Sequence, residues 1–183
     1  SMWIEPEVPG PDGQVIRVMA VQDQPTAANL RIHLRGNYRT LGDEAPRRFL
    51  QIVAGDNHRA IETTGSGRLE LARWIANKRN PLTARVLVNR MWQRHFGRGI
   101  VASADDFGVR GEPPTHPKLL DWLAGELMHR DWSTKAIQRL LLQSATYQQS
   151  ASVSNRMAAT LDTDNRLLWH MPRRRLSAEE LRD

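Results

Sequence analysis

Two segments near the N-terminus carry the residue pattern of β-strands. Residues 14–22 are mostly apolar, and residues 30–35 alternate, with Leu30, Ile32 and Leu34 on one side and polar residues on the other. Alternation with a period of two indicates a strand with one buried face. We predict that the two strands are antiparallel neighbours joined by residues 23–29. Two strands alone are only marginally stable, so we expect them to pack on helices.

From Gly67 onward the apolar positions follow a helical spacing instead. The pattern predicts helices over 68–78 and 82–96, the second ending at Gly97. It predicts two further helices, one capped by Thr115 or His116 and the other capped by Ser133. Residues 99–114 and 149–165 are predicted to be loops. Ser177 and Glu180 form a capping-box pattern, which predicts a further helix at the C-terminal end.

These elements predict a mainly α fold, a helical bundle-like domain with a small antiparallel β element near the N-terminus. We expect residues 1–13 to be a linker or tag-derived lead-in that is rich in proline and glycine. Residues 14–66 would form a small β and irregular region packed on the helices, with 40–66 largely irregular. Residues 67–183 would form the helical domain, truncated at its C-terminus.

The composition is that of an ordinary folded protein and excludes several kinds of site. Of the 183 residues, 40% are hydrophobic and 25% are charged. No apolar run approaches the roughly 20 residues of a membrane-spanning helix. The sequence has no cysteine, which excludes disulfides, thiolate zinc sites, a cysteine nucleophile and haem attachment through Cys-x-x-Cys-His. We therefore expect no cofactor in this chain.

The charge is basic and carried mainly by arginine. The net charge is +6, and the 26 basic residues comprise 23 arginines and 3 lysines. Three explanations stay open: a GC-rich genome or simple ion pairing within the protein, an acidic protein or glycan partner, and nucleic acid. We favour the first two, because the second helix of a possible helix-turn-helix, which contains Leu140–Leu142, is too apolar to lie in a DNA groove.

Several motifs from 67 onward carry a resemblance to a known family. They read GRLELARW at 67–74, NPLTARV at 80–86, VNRMWQRHFGRG at 88–99, DDFG at 105–108, GEPPTHP at 111–117, LLDWLA at 119–124, SATY at 144–147, NRLLW at 165–169 and RRRLSAE at 173–179. The chain resembles the planctomycete-specific domain of unknown function often called PSD-one. That domain usually follows a cytochrome-c-like haem domain.

The resemblance implies a larger multidomain protein that is exported or associated with the cell envelope, with haem elsewhere in that protein. It brings no known catalytic residues, so no active site can be transferred. The chain departs from the usual arrangement in having no haem-attachment motif, and we expect a further family helix beyond Asp183.

A few polar residues are candidates for chemistry. Asp106-Phe107-Gly108 matches a kinase tripeptide, but without the other kinase motifs we interpret it as a turn. His116 could join Asp121 and Glu112 in a metal cluster, although we favour helix capping and predict no metal. The adjacent Asp105 and Asp106 could perform acid/base catalysis, although we favour structural ion pairs.

Arginine and tryptophan provide the candidate binding residues. One helix carries a basic series beside an apolar stripe, and a second basic cluster follows near the C-terminus. The candidate binding residues are Arg85, Arg90, Arg94, Arg98, Trp92, His116, Arg173, Arg174 and Arg175. We predict that Arg94 or Arg98 pairs with Asp105 or Asp106. For Trp92 and Trp122, which both lie in helix stripes, we expect core positions.

The sequence thus favours a non-catalytic interaction or assembly module. Its expected partner is an acidic protein surface or a neighbouring domain of the same chain, and we expect neither nucleic acid binding nor a membrane span. The alternative is a hydrolase or redox accessory domain acting on polysaccharide, with His116, Asp105 and Asp106 near its site. The two hypotheses differ in whether those three residues converge in one pocket.

Overall fold

The protein is described from a computed structural model. It describes residues 2–23, 27–55, 60–152, 155–173, 175–176 and 178–182. The chain divides into two compact units, residues 1–80 and 81–183. Each unit is described separately below.

The first unit contains three antiparallel two-stranded ribbons. Strand β1 (Met2–Ile4) pairs with β4 (Ala20–Gln22), and β2 (Glu7–Pro9) pairs with β3 (Val15–Arg17). Strand β5 (Leu30–His33) pairs with β6 (Leu41–Ala45), with a register shift between Arg31 and His33. A short 3-10 helix, Leu34–Gly36, forms the turn between β5 and β6.

Two predictions for this region are wrong. The segments 14–22 and 30–35 are not neighbours, because β5 pairs with β6, which lies within the stretch predicted to be irregular. The β5–β6 connection, residues 34–40, is as long as the predicted one, residues 23–29, so loop-closure entropy does not favour either pairing. The predicted buried face is also wrong, since Leu30 is 78% exposed and Ile32 is 51% exposed. A two-stranded ribbon buries a face only where another layer covers it.

The described residues of the first unit also form two helices. They are α1 (Gln51–Ala54) and α2 (Arg68–Ile75), the latter beginning after Gly67 as predicted but ending before Lys78. Asp23, just after β4, accepts a hydrogen bond from the Ser66 backbone at 3.1 Å and pairs with Arg68 at 2.6 Å. The Ser66 hydrogen bonds, aided by the charge of Arg68, lower the pKa of Asp23. This carboxylate therefore ties the end of β4 to the start of α2.

The second unit is helical. Its helices are α3 (Thr83–Phe96), α4 (Pro117–His129), α5 (Thr134–Leu142), α6 (Ala145–Gln148), α7 (Arg156–Leu161) and α8 (Ala178–Arg182). The predicted loop over 99–114 is confirmed, whereas the one over 149–165 is wrong because it contains α7. The predicted capping box lies outside the described residues, because neither Ser177 nor the Glu180 side chain is described.

The ends of these helices follow local signals in the sequence. Helix α3 ends at Gly97, whose φ of 81° favours glycine because a Cβ would be strained there. Helix α5 begins after Ser133, whose side chain accepts a hydrogen bond from the Ala136 backbone at 3.3 Å. Both predicted ends are confirmed.

Helices α3, α4 and α5 share the hydrophobic core. Its buried side chains are Ala84, Val88, Met91, Trp92, Phe96, Ile100, Val101, Leu120, Leu123, Ala124, Leu127, Ile137 and Leu141. Trp92 occupies the core as predicted, but the prediction for Trp122 is wrong, since it is 50% exposed. At about 100° per residue, Trp122 lies on the side of α4 opposite Leu120.

The predicted fold class is confirmed: the chain is mainly α with small antiparallel β elements near its N-terminus. Among the described residues, none of the helices combines the length and the hydrophobicity needed to cross a membrane.

Candidate functional site

The second unit carries a groove between the starts of its two longest helices. We call it the α3–α4 groove, and its volume is about 600 Å³. Its apolar lining comes mainly from proline, aliphatic and aromatic side chains, with a few charged groups. The lining residues are Pro81, Leu82, Arg85, Val101, Phe107, Gly108, Gly111, Glu112, Pro113, Pro114, Pro117, Leu120 and Asp121.

A buried asparagine holds one wall of this groove in place. Asn89 is fully buried on α3, where its amide donates to the Val101 carbonyl at 3.0 Å and accepts from the Val101 N–H at 2.9 Å. Gly99 lies so close that an added Cβ would come within 2.5 Å of the Val101 carbonyl oxygen and 2.7 Å of the Asn89 amide nitrogen. The pair of hydrogen bonds fixes residues 99–101 against the helix.

The start of α4 is held to the same segment. The backbone N–H of Thr115 donates to the Ile100 carbonyl at 2.9 Å, and the Thr115 hydroxyl contacts the same oxygen at 3.3 Å. His116 is the residue immediately before α4. Its ring forms a hydrogen bond with the Thr115 hydroxyl at 3.0 Å and none with the backbone N–H groups at the start of α4. The predicted capping is therefore right in position and wrong in mechanism.

An ion pair borders the groove. Arg85 Nε lies 2.7 Å from Asp121 Oδ1, and Arg85 also donates to the Pro81 carbonyl. The pair links α3 to α4 across the groove and leaves much of both side chains in contact with solvent. It provides a charged edge beside the apolar lining.

Two other arginines of the predicted basic series, Arg90 and Arg98, form ion pairs that differ from the predicted ones. Asp105 pairs with Arg90 at 2.8 Å, and Arg98 pairs with Glu112 at 3.3 Å. The prediction that Arg94 or Arg98 pairs with Asp105 or Asp106 is therefore wrong. The 99–114 loop brings Asp105 opposite Arg90, one helical turn before Arg94.

The turn interpretation of Asp106-Phe107-Gly108 is confirmed. Asp106 Oδ1 accepts from the Gly108 N–H at 2.8 Å, and the Ser103 hydroxyl donates to the Asp106 carbonyl at 2.7 Å. Phe107 packs on the core and lines the groove. The predicted structural ion pairing thus holds for Asp105, while Asp106 stabilises a turn.

The remaining predicted binding residues do not form one site. Trp92 is buried and stacks on Phe96 with ring centroids 4.1 Å apart, so it is a core residue and not a contact residue. Arg94, Arg173 and Arg175 are exposed. Arg174 lies outside the described residues.

The three residues of the catalytic alternative lie in different surroundings. Asp105 borders a small cavity beside Arg90 and Arg94, whereas neither His116 nor Asp106 lines that cavity or the α3–α4 groove. Within the described ranges, no three His, Asp or Glu side chains come close enough to hold a metal ion. His116 therefore does not line either cavity together with Asp105 or Asp106.

Sequence reasoning missed the residues that shape the groove, above all Asn89. A signal was present, because Asn89, Trp92 and Phe96 are spaced as one helix stripe and all three are buried. A polar residue on a buried stripe needs hydrogen-bond partners within the protein. The contribution of Pro113, Pro114 and Phe107 depends on how the loop folds back, which spacing does not reveal.

Comparison with known proteins finds one family. The family model described as PSD1, protein of unknown function (DUF1553), matches residues 67–183. No curated protein and no solved structure matches the chain.

Proposed function

The chain belongs to the PSD1 family of proteins of unknown function (DUF1553), and we propose that it is a non-catalytic interaction module that binds an acidic protein segment in the α3–α4 groove. The single observation that carries this proposal is the groove itself. It combines a volume of about 600 Å³ with a mostly apolar lining and ion-paired charged groups, Asp121 with Arg85 and Glu112 with Arg98. A concave, mostly apolar lining of this size is typical of ligand pockets, and the anchor side chains of protein partners also fill well-packed pockets.

The lining indicates which part of a partner would enter. Leu82, Phe107 and the four lining prolines present apolar surface, and burying such surface is favourable. Proline side chains also lose little conformational entropy when they are covered. The best occupant is therefore one or two large apolar side chains of a polypeptide segment.

The two carboxylates that line the groove are each paired with an arginine, so the charges beside the groove that remain for a partner are basic. Arg110 and Lys118 are neighbours in sequence of the lining residues Gly111 and Pro117, and both are exposed. Among the described residues, neither has a carboxylate within ion-pair distance. Carboxylates that flank the apolar anchor would complement these cations and speed association.

The contacts of the candidate catalytic groups also favour a module over an enzyme. Asp105 is 91% exposed and paired with Arg90, Asp106 closes a turn, and His116 bonds to Thr115. A general acid/base pair needs two groups within reach of one substrate. The alternative, a hydrolase or redox accessory domain acting on polysaccharide, stays a prediction.

The setting of the module is part of the proposal. The family resemblance implies an exported or envelope protein, with haem in another domain that could itself be the acidic partner. The chain offers no cysteine for covalent haem attachment. The chain would bind such a domain through the α3–α4 groove.

The proposal is tested with a synthetic peptide array. Peptides that carry Leu, Phe or Trp between Asp and Glu residues are compared with peptides that carry the same apolar residue between Lys and Arg. We expect the purified chain to bind the acidic set. Leu82→Glu should weaken that binding by about tenfold or more, because it removes an apolar contact worth about 1.5 kcal/mol and adds a like charge.

Leu142→Glu is the matched control. Leu142 lies on α5 away from the groove and is about as exposed as Leu82, at 42% against 37%. It should leave peptide binding unchanged. Equal binding of acidic and basic peptides, or equal losses in the two variants, would contradict the proposal.

A further inference from the structure

The first unit has a cavity of its own. It is about 320 Å³ in volume and lies between α1, α2 and the turn that follows α2. The lining residues are Phe49, Val53, Ala54, Trp74, Asn77, Arg79 and Asn80. The aromatic and apolar groups come from the helices and the segment before α1, and the polar groups come from the turn.

Stacked aromatic rings form the apolar side of this cavity. The rings of Phe49 and Trp74 are nearly parallel, 2° apart, with centroids separated by 4.9 Å. Both side chains are half-buried, and both line the cavity. Their stacking holds each ring in one orientation, so an incoming apolar face would meet an ordered surface.

The polar side is a short turn held by its own hydrogen bonds. Asn77 Oδ1 accepts from the Arg79 backbone at 2.8 Å, and the Asn80 N–H donates to the Asn77 carbonyl at 2.8 Å. Asn80 Nδ2 also contacts the Trp74 carbonyl at 3.5 Å. The turn thus places two amide side chains and one guanidinium at the cavity without requiring a ligand to order them.

Arg79 gives the cavity its charge. The side chain is exposed and lines the cavity, and no carboxylate in the described part of the chain lies within ion-pair distance of it. A guanidinium presents a planar set of N–H donors that matches a carboxylate. A ligand that binds here would gain most by carrying a negative charge at that end.

We propose that this cavity binds an acidic saccharide, with a uronic acid residue as its ligand. A pyranose ring has an apolar C–H face that can pack on the outer face of one ring of the Phe49–Trp74 stack, and hydroxyl groups at its edge that can bond to Asn77 and Asn80. Its carboxylate would pair with Arg79. The three kinds of group that line the cavity thus match the three parts of one sugar residue. This site is independent of the α3–α4 groove.

The test is a titration of the whole purified chain with galacturonate, glucuronate and mannuronate oligomers, measured by calorimetry at fixed salt. Neutral galactose oligomers serve as the comparison. We expect at least one acidic oligomer to bind and the neutral ones to bind more weakly. Arg79→Gln should weaken binding by about tenfold or more, since a charge-assisted hydrogen bond is lost.

Arg73→Gln is the matched control, because Arg73 is an exposed arginine on α2 that does not line the cavity. It should bind the acidic oligomers as the unmodified chain does. The proposal is overturned if none of the acidic oligomers binds, if neutral oligomers bind as tightly, or if the two arginine variants lose affinity equally. In the last case the binding would reflect the general positive charge.

Discussion

Replacing Asn89 with alanine should destabilise the second unit and disturb the α3–α4 groove. The fully buried amide makes both of its contacts to Val101, which is itself 3% exposed. Alanine would leave the N–H and the carbonyl of Val101 without a partner, in a place where water has little access. It would also leave a cavity between α3 and residues 99–101.

The size of the destabilisation follows from the Val101 N–H and carbonyl, which would both lose their hydrogen-bond partner. Each buried polar group that loses its partner destabilises a protein by about 1–3 kcal/mol, so Asn89→Ala should lower the free energy of unfolding by about 2–6 kcal/mol. Domains are commonly stable by only about 5–15 kcal/mol. The change is therefore a large part of the stability of this unit.

The assay is urea unfolding followed by the helical circular dichroism signal, together with hydrogen exchange at the Val101 amide. We expect a lower unfolding midpoint and faster exchange at Val101. Arg94→Ala is the control on the same helix, because Arg94 is exposed. A surface substitution of this kind should stay within about 0.5 kcal/mol.

If Asn89→Ala fails to fold, a second variant tests the contact between Asn89 and Val101. Gly99→Ala adds one methyl group whose position is 2.5 Å from the Val101 carbonyl oxygen, so it should strain the same contact. If both variants unfold at the urea concentration of the unmodified chain, the Asn89–Val101 contact does not stabilise the loop. The groove would then owe its shape to the Thr115 and Glu112 contacts.

Two further predictions concern carboxylates. Hydrogen bonds from Ser66 and the charge of Arg68 lower the pKa of Asp23, so the charged carboxylate stabilises the fold above the ordinary pKa of 3.8, and this stabilisation is lost as the pH falls through the lowered value. The difference in melting temperature between the unmodified chain and Asp23→Asn should therefore be present at pH 7 and disappear in strong acid. A difference that stays constant with pH would contradict this prediction. Asp105→Ala should change the free energy of unfolding by less than about 1 kcal/mol, because its pair with Arg90 is exposed. Asp106→Ala should lower the free energy of unfolding more than Asp105→Ala does, because the hydrogen bond from the Gly108 N–H is lost. If Asp105→Ala is the more destabilising of the two, the pair with Arg90 holds the loop.

The candidate site divides into parts that sequence could and could not predict. The motifs around Asn89, Phe107 and Pro113 contributed to the family resemblance, and the match to PSD1 over residues 67–183 confirms the family. Their joint position around one groove was not predicted. It depends on the path of the 99–114 loop, which brings Val101, Phe107 and Pro113 to the starts of α3 and α4.

What the sequence determined by itself was local. The end of α3 at Gly97 and the start of α5 at Ser133 follow from a positive φ and a capping hydroxyl, which involve only a few neighbouring residues. Only the tertiary structure decided that β5 pairs with β6 and that Asp105 meets Arg90, the latter across 15 residues of sequence. Many partners of suitable chemistry exist for a strand or an arginine. The choice among them depends on which pairing the packing of the whole unit allows, and that is a property of three-dimensional geometry.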